Sequence, residues 1–177
     1  MTARGRCEPV NHPGGEPLGR YCTIVADPHW PETGAGVKGG RRGADRHYPL
    51  MSVKDILAMG PQVKALRGEE GCHLYLWVTN NFLPAGLQVM EAWGFTYKTC
   101  ISWAKVSMGV PQIGLGQYFR GASEHCLFGV YKVMPYRMTL DAEPKRAQGR
   151  TLILAPRGEH SVQPVALMVM AELVSYP

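Results

Sequence analysis

The chain has 177 residues, enough for one α/β domain with a sizeable core and too few for two ordinary domains. Hydrophobic residues make up 45% and charged residues 19%, which excludes disorder over most of the length, and no apolar run approaches the roughly 20 residues that cross a bilayer. The net charge of +5 favours a polyanionic partner. The start of the chain has no apolar segment resembling a secretion signal, so we expect a cytoplasmic protein.

The cysteines are odd in number and far apart, with no C-x-x-C pair. This pattern predicts buried thiols rather than zinc ligands or a redox dithiol, so we expect no metal site. The five cysteines are Cys7, Cys22, Cys72, Cys100 and Cys126.

The first part of the chain changes character near residue 21. Residues 1–20 are rich in proline and glycine without apolar periodicity, which predicts a loose arm ahead of one domain over residues 21–177. YCTIVA is a short β-branched run that predicts a buried strand ending at Asp27. Residues 31–48 are rich in glycine and basic side chains and predict a long loop of the kind that is usually functional.

Helix and strand patterns alternate along the rest of the chain. MSVKDILAM predicts a helix with Ser52 as N-cap and Asp55 completing a near capping box. FLPAGLQVMEAWG predicts an amphipathic helix that ends at Gly94. The expected buried face of that helix consists of Leu83, Leu87, Met90 and Trp93. GCHLYLWVT, TYKTCISWAK, EHCLFGVYK and RTLILAP predict four more strands, with a second long loop over residues 106–122 and a closing helix over Val165–Val174. This order predicts a three-layer α/β sandwich with a largely parallel sheet.

The tetrapeptide Asp27-Pro28-His29-Trp30 follows the first strand, at the edge of the sheet where α/β proteins bind ligands. Methylation of an exocyclic amine requires the enzyme to orient a poor nucleophile, because the lone pair of the amine is delocalised into the ring. A carboxylate and a backbone carbonyl can hold the amine hydrogens, and an aromatic ring can stack on an extruded base. We therefore place the catalytic chemistry here, with a strand-ending turn and a buried tryptophan as the structural alternative.

ADPHW resembles the Asp-Pro-Pro-Trp motif of the adenine-N6 methyltransferase family typified by the seventy-kilodalton subunit of the eukaryotic mRNA adenosine methyltransferase, which includes bacterial and phage DNA enzymes. The resemblance continues in the family's order through YPLMSVKDI, LYLWVTNNFLPAGLQVMEAWGFTYKTCISWAK, GLGQYFRGASEHCLFGV and HSVQP. Several segments in one order are more specific than one tetrapeptide. The resemblance implies a Rossmann-like methyltransferase fold, S-adenosylmethionine as cofactor and adenine N6 in nucleic acid as substrate.

The family's motifs also imply roles for individual residues. Asp27 would contact the target amine and the methionine part of the cofactor, and Pro28 would offer its carbonyl. Tyr48 would lie against the adenine, with a core tyrosine at a helix start as the alternative. Glu124 would line the pocket, since a charged residue directly before a buried strand is uncommon without a partner. Ser161 belongs to the HSVQP segment of the same pocket.

Both long loops resemble the family's substrate-gripping flaps, because basic groups interleaved with aromatic rings suit phosphate contact and base stacking. Solvated surface charge is the alternative. The residues concerned are Lys38, Arg41, Arg42 and Arg46 in the first loop and Gln117, Tyr118, Phe119 and Arg120 in the second. Lys145, Arg146 and Arg150 could extend the basic surface, although an ordinary charged turn is the preferred interpretation.

This sequence departs from the family's pattern at three places. His29 replaces the second proline of the motif, which leaves the loop less restricted in φ. Gln163 stands where the family has a lysine, so a cofactor contact keeps only a neutral amide. The chain ends at Pro177, before the strand that the family uses to hold the ribose and adenine of the cofactor, so we expect weak binding of S-adenosylmethionine.

Three functions remain open at this point. The first is methylation of adenine N6, more readily in DNA than in RNA. The second is a non-catalytic role in binding nucleic acid or a catalytic partner subunit, as a homo- or hetero-oligomer. The third is methylation of another exocyclic amine, such as cytosine N4.

Overall fold

The structure is a computed structural model that describes residues 20–31, 49–114, 118–132, 137–139, 141–158 and 162–175. The predicted arm lies outside these ranges except for its last residue. The strands are β1 (Thr23–Ala26), β2 (Cys72–Val78), β3 (Thr96–Ser107), β4 (Val110–Pro111), β5 (Ser123–Tyr131) and β6 (Leu152–Ala155). The helices are α1 (Val53–Ala58), α2 (Gly60–Leu66), α3 (Leu83–Ala92) and α4 (Val165–Val174), and a 3-10 turn (Asn80–Phe82) precedes α3.

The described strands form one six-stranded mixed sheet in the order β1-β2-β5-β3-β4, with β6 also paired to β3. β1 runs parallel to β2, and β3 runs parallel to β6. β5 lies antiparallel between β2 and β3, and β4 is antiparallel to β3. The predicted parallel arrangement is therefore confirmed for two strand pairs only. β5 departs from it because it returns directly from the β3–β4 hairpin, without the helical crossover that a parallel neighbour would need.

Two buried layers lie on opposite faces of the sheet, because successive side chains of β2 point in opposite directions. One layer is covered by α1 and α3, and the other by α4. The first layer includes Leu74, Leu76, Val78, Ile56, Val89 and Met90. The second includes Tyr75, Trp77, Ile101, Ile153 and Leu167. Every residue of β2 is buried, as expected for a central strand covered on both faces.

The predicted boundaries of several elements are confirmed. Ser52 caps α1, and its hydroxyl accepts a hydrogen bond from the backbone N–H of Asp55 at 3.1 Å, while the Asp55 carboxylate accepts from the Ser52 backbone at 3.2 Å. This reciprocal pair is the predicted capping box. Gly94 follows α3 with φ of 82°, a conformation that favours glycine.

The predicted buried face of α3 is confirmed at Met90 and Trp93, which are both 1% exposed, but not at Leu87. Leu87 is 38% exposed, and Gly86 faces the sheet instead. A Cβ atom on Gly86 would lie 3.0 Å from the Leu127 side chain and 3.1 Å from that of Val78. The missing side chain lets α3 approach the sheet closely, which apolar periodicity alone could not reveal.

Three smaller predictions are corrected. The loop expected from residue 106 begins later, because β3 continues through Ser107 and turns back into β4. α2 was not predicted, since its seven residues begin with Gly60-Pro61 and carry little apolar periodicity. Three predicted thiols are free, at Cys72, Cys100 and Cys126, whereas Cys22 is disulfide-bonded. None of the described helices is long and apolar enough to span a membrane.

Candidate active site

The strand directions bring several polar side chains to one edge of the sheet, which we call the carboxyl edge. Asp27 directly follows β1, and Asn80 lies just beyond β2. Lys105 lies near the end of β3, and Glu124 lies at the start of the antiparallel β5. β1 and β5 are two strand spacings apart, about 10 Å, and β3, which carries Lys105, lies one spacing further along the sheet.

Asp27 is joined to Gln163, a residue just ahead of α4 and far along the chain. The Gln163 side-chain amide donates a hydrogen bond to the Asp27 carboxylate at 2.7 Å. Asp27 remains solvent-accessible on one side, yet partial burial raises the pKa of its carboxyl group. The Gln163 hydrogen bond opposes that rise in pKa, while the negative charge of Glu124 adds to it. The structure thus brings together the two residues predicted to contact the cofactor.

Backbone hydrogen bonds hold the loop after Asp27 in a tight turn. The Pro28 carbonyl accepts a hydrogen bond from the N–H of Trp30 at 2.9 Å. A carbonyl oxygen has two lone pairs, so this bond leaves one of them for another donor. The His29 carbonyl accepts from the N–H of Met51 at 2.8 Å, and the His29 ring lies 3.3 Å from the Pro49 carbonyl. These contacts fix Asp27 and Pro28 relative to the start of α1.

Trp30 lies in the hydrophobic core, where it is 4% exposed. Its indole N–H donates to the Trp77 carbonyl at 2.9 Å, and its ring stacks on Phe82 with centroids 5.7 Å apart. In this conformation neither face of the ring is open to a base. The indole instead connects the loop to the end of β2, which is the structural alternative expected from the tetrapeptide.

Glu124 and Lys105 form a salt bridge between neighbouring strands. Their side chains are 27% and 19% exposed, so water screens the pair only partly. Lys105 also lies over the ring of Trp103, with its amine 4.9 Å from the ring centroid. The predicted partner for Glu124 is therefore a lysine that sequence reasoning did not single out. The sequence did contain one indication of its role, because Lys105 is a charged residue directly after TYKTCISWA, at the end of a predicted strand.

A hydrogen-bonded network supports the next strand along the edge. One ring nitrogen of His125 lies 2.6 Å from the Asn80 side-chain oxygen, and the other lies 3.1 Å from the Ser102 hydroxyl. The Asn80 amide donates to the Ser123 carbonyl at 3.0 Å. Burial lowers the pKa of His125, while Glu124 opposes that shift in pKa. The ring thus connects β3 and β5 to the 3-10 turn that follows β2.

Several buried polar atoms at the same edge have no hydrogen-bond partner among the described residues. They are the indole nitrogen of Trp77, the hydroxyl of Thr79 and the side-chain oxygen of Gln163. Buried polar groups are nearly always hydrogen-bonded in proteins, so a cluster of unpaired ones marks a place where a polar ligand or water binds. Within the described part of the chain, every such side-chain atom lies at or beside the carboxyl edge.

Not every predicted site residue can be placed. The predicted residues Lys38, Arg41, Arg42, Arg46, Tyr48, Gln117 and Ser161 lie outside the described residues. Tyr118 and Phe119 are 94% and 91% exposed, and Arg120 donates from its guanidinium to the Gly114 carbonyl at 2.8 Å. The structure therefore presents these rings on the surface of the second loop.

The MT-A70 family pattern matches residues 21–176. The chain belongs to the MT-A70 family. It is 25% identical over 170 residues to the Type II methyltransferase M.MunI of a Mycoplasma species, covering 86% of this chain and 66% of that protein. It is 28% identical over 120 residues to the N(6)-adenosine-methyltransferase MT-A70-like protein of Drosophila melanogaster, covering 64% of this chain and 17% of that protein. For the putative N(6)-adenosine-methyltransferase MT-A70-like protein of Medicago truncatula, the identity is 27% over 163 residues, covering 89% of this chain and 23% of that protein.

The shared family also bears on the cofactor, because MT-A70 methyltransferases generally use S-adenosylmethionine. The hydrogen-bond acceptors at the carboxyl edge fit its methionine end, which carries an ammonium group. The Asp27 carboxylate is an acceptor suited to an ammonium group, and the unpaired side-chain oxygen of Gln163 is a second acceptor beside it. The chain spans 66% of the length of the Mycoplasma methyltransferase and 17% of that of the Drosophila protein.

Proposed function

We propose that the carboxyl edge is the active site of an S-adenosylmethionine-dependent methyltransferase that modifies the N6 amine of adenine in nucleic acid. The observation that carries this proposal is the Asp27–Gln163 hydrogen bond, with the unpaired oxygen of Gln163 and the unpaired hydroxyl of Thr79 at the same edge. A polar site of this kind, at the carboxyl ends of two parallel strands, is where α/β proteins bind ligands.

Asp27 and Pro28 are the residues that would orient the amine. One amine hydrogen would be held by the Asp27 carboxylate and the other by the free lone pair of the Pro28 carbonyl. Pro28 is part of the turn closed by the Trp30 N–H, and Asp27 directly precedes it, so both groups are held in place before the substrate arrives. S-adenosylmethionine, when bound, supplies the activated methyl group. The raised pKa of Asp27 makes its carboxylate a stronger proton acceptor as the amine becomes positively charged.

The remaining predicted residues act around this pair. We assign Glu124 to the wall of the adenine pocket, where its salt bridge with Lys105 orients its side chain. His29 and Trp30 are positioning residues in this proposal, since one connects the loop to residues 49–51 and the other connects it to β2. Tyr48 and Ser161 complete the pocket by analogy with the family's motifs.

Loss of the Asp27 carboxylate tests the assignment. Asp27→Ala should lower methyl transfer by at least about 100-fold, the scale typical of removing one positioned catalytic group. The assay uses labelled S-adenosylmethionine with duplex DNA, single-stranded DNA and RNA in parallel, and any of these can be the substrate. Asp141→Ala, which removes an exposed carboxylate elsewhere, should keep the parental rate. Transfer by Asp27→Ala at more than a third of that rate would contradict the assignment.

We further propose DNA as the substrate, with the first loop gripping its backbone through Lys38, Arg41 and Arg42, and the second through Tyr118 and Arg120. Basic side chains that neutralise phosphates release counterions, so binding weakens as salt rises. Arg41→Glu together with Arg42→Glu should weaken binding to every sequence alike and reduce the salt slope by about 2. A salt slope equal to that of the parent would show that these arginines are only solvated surface.

A non-catalytic role is the second candidate, and Gln163 is the observation that favours it. The family has a lysine at this position, and a neutral amide holds Asp27 less firmly than an ammonium group would. In that case the parent would bind nucleic acid without transferring methyl groups, and Gln163→Lys would be the variant that restores transfer. Failure of both the parent and Gln163→Lys to transfer methyl groups, with binding intact, would establish the non-catalytic role.

A further inference from the structure

A second cavity lies at the opposite edge of the sheet, which we call the amino edge. It has a volume of about 470 Å³, within the range of sites for small ligands. Its walls come from the amino ends of β2 and β3, the far end of β5, residues 146–151 and α4. β2 separates His73 at this cavity from Val78 at the carboxyl edge by roughly 17 Å, at about 3.3 Å per residue. The cavity is thus distinct from the Asp27 site.

The charged side chains around this cavity all have the same sign. Lys98, Lys132, Arg146 and Arg150 line it, and no described acidic residue does. Among the described residues, the salt bridges join Arg20 to Glu69 and Lys105 to Glu124, so no carboxylate of that part of the chain neutralises Lys98, Lys132 or Arg150. Like charges placed around one cavity repel each other, and an anion between them removes that cost. We call this site the basic cavity.

The backbone at one of these lysines supports a ligand-binding role. Lys132 directly follows β5 and has φ of 55°, a left-handed conformation that is uncommon for residues other than glycine. Conformations of this kind cost free energy and cluster at ligand sites, where they aim a side chain. Lys132 lines the cavity in this conformation, with its amine 5.6 Å from the centroid of the neighbouring Tyr131 ring.

The floor of the basic cavity is apolar and flat, because it is one face of the sheet. Phe128 packs against His73 and Tyr75, with ring centroids 5.0 Å apart in both pairs. Ser175 is the hydrogen-bond partner of the polar atoms in this group, since its hydroxyl lies 2.7 Å from a His73 ring nitrogen and 2.9 Å from the Tyr75 hydroxyl. Burial lowers the pKa of His73 to about 4, with a further contribution from Arg146, so the ring is neutral at pH 7. His73 and Tyr75 are themselves buried, so the ring that the floor offers to a ligand is that of Phe128, which is half-buried.

An anion alone would use only the rim of this cavity, and an apolar molecule alone would leave Lys98, Lys132 and Arg150 without a counter-charge among the described residues. We propose that the basic cavity is a second ligand site that binds a nucleoside phosphate, with the planar base on the floor around Phe128 and the phosphate held by the lysine and arginine side chains. Gln148 and Thr99 line the same cavity and add neutral polar groups for the base or the sugar.

Calorimetry on the full chain tests this site with adenosine monophosphate, adenosine and inorganic phosphate. We expect adenosine monophosphate to bind at least about tenfold more tightly than either of the other two, because only it uses both the rim and the floor. Lys98→Gln together with Arg150→Gln should weaken that binding by about tenfold or more. Lys54→Gln together with Lys64→Gln, which removes exposed cations of α1 and α2, should leave it unchanged.

Two further variants keep the result interpretable. Phe128→Leu should also weaken the binding of adenosine monophosphate, whereas Asp27→Ala should not change it. No binding of adenosine monophosphate at about 1 mM would overturn the proposal. Equal affinity for inorganic phosphate would reduce the cavity to an anion site and overturn the nucleoside part. A third outcome is that adenosine monophosphate does not bind but a short oligonucleotide does, and that this binding requires Lys98 and Arg150. That outcome would assign the cavity to nucleic acid and overturn the proposal as well.

Discussion

The carboxyl edge and the amino edge of the sheet hold their charges in different ways. At the carboxyl edge, Lys105 is paired with Glu124, and Asp27 accepts a hydrogen bond from Gln163. At the amino edge, the cations of the basic cavity face a space with no described acidic side chain. An edge with one ion pair, one hydrogen-bonded carboxylate and a few unpaired neutral atoms suits a polar, uncharged group such as an amine on a base. An edge where Lys98, Lys132 and Arg150 have no carboxylate partner among the described residues suits an anion.

Acid should affect the two edges with opposite signs. Each contains a partly buried titratable group whose charged form is disfavoured by desolvation: the pKa of Asp27 is raised, and that of His73 is lowered to about 4. As the pH falls, Asp27 becomes neutral, whereas His73 becomes charged. Titration can therefore separate the contributions of the two edges to stability.

The largest effect is expected from the salt bridge of the carboxyl edge. Lys105→Met should lower the melting temperature by about 5 °C, because it leaves the Glu124 carboxylate partly buried without its partner. Without Lys105 the negative charge of Glu124 also acts more strongly on Asp27 and raises its pKa further. The acid limb of the methyl-transfer rate should then move to higher pH, and thermal unfolding and a rate profile measure the two effects.

Glu124→Gln is the matched control for this prediction. It removes the negative charge near Asp27, so the acid limb should move to lower pH, opposite to the effect of Lys105→Met. The double variant should be more stable than the sum of the two single changes predicts, since it leaves no unpaired charge. Movement of the acid limb in the same direction for both single variants would contradict the proposed coupling between Glu124 and Asp27.

A smaller effect is expected at the amino edge. Because the folded-state pKa of His73 lies near 4 and the ordinary value is 6.5, the unfolded chain takes up a proton first. The contribution of His73 to stability should be complete above about pH 6.5 and decline as the pH falls towards 4. Between about pH 6.5 and pH 4, the melting temperature of His73→Gln should therefore fall by about 4 °C less than that of the parent.

Tyr75→Phe is the control at the same place. It removes the other hydrogen bond to Ser175 without removing a group that titrates in this range, so its melting temperature should keep the parental pH dependence. Comparing slopes rather than absolute values removes the general cost of altering a buried hydrogen bond. A parental slope in His73→Gln would mean that other groups cause the acid sensitivity.

Much of the fold could be predicted from the sequence, because several elements carry strong local signals. The continuous apolar run of β2, the capping box at Ser52 and the glycine after α3 each depend on short-range physics. The position of β5 between β2 and β3 could not be predicted, since strand order depends on pairing between distant segments. Gly86 illustrates the same limit at one residue, because its role depends on the side chains it faces across the sheet.

The candidate site was predictable in part for the same reason. Asp27, Glu124 and Gln163 could be selected from motifs, whereas Lys105 was found only through its pairing with Glu124. Trp30 was expected to stack on a base or to be buried, and only packing could decide that the ring lies in the core. Of the four cations of the basic cavity, the sequence suggested only Arg146 and Arg150 as part of a basic surface. Lys98 and Lys132 could not be added to them, because the four cations come from three separate segments.

The smallest effect concerns the cost of keeping Asp27 ionised. Asp27→Asn removes the charge but keeps a side-chain oxygen that can accept the hydrogen bond from the Gln163 amide. Its effect on stability therefore reports the cost of desolvating the carboxylate charge and not the loss of the hydrogen bond. The pKa of Asp27 is raised in the folded chain, so as the pH falls the folded chain takes up a proton before the unfolded chain does. The free energy of unfolding therefore rises as the pH falls through that raised pKa. At pH 7 the ionised carboxylate opposes folding. Asp27→Asn should therefore raise the melting temperature at pH 7 by about 2 °C, a small change because a solvent-accessible carboxylate is well screened.

The pH dependence of this gain sets Asp27 apart from His73. The advantage of Asp27→Asn over the parent should shrink as the pH falls through the raised pKa and disappear below the ordinary value of 3.8, where both side chains are neutral. His73→Gln shows the opposite trend, since its relative stability improves in acid. A residue that lowers stability at the pH where it would react is typical of active sites. A lower melting temperature for Asp27→Asn at pH 7 would instead show that ionised Asp27 stabilises the fold, and would remove the desolvated carboxylate from the case for catalysis.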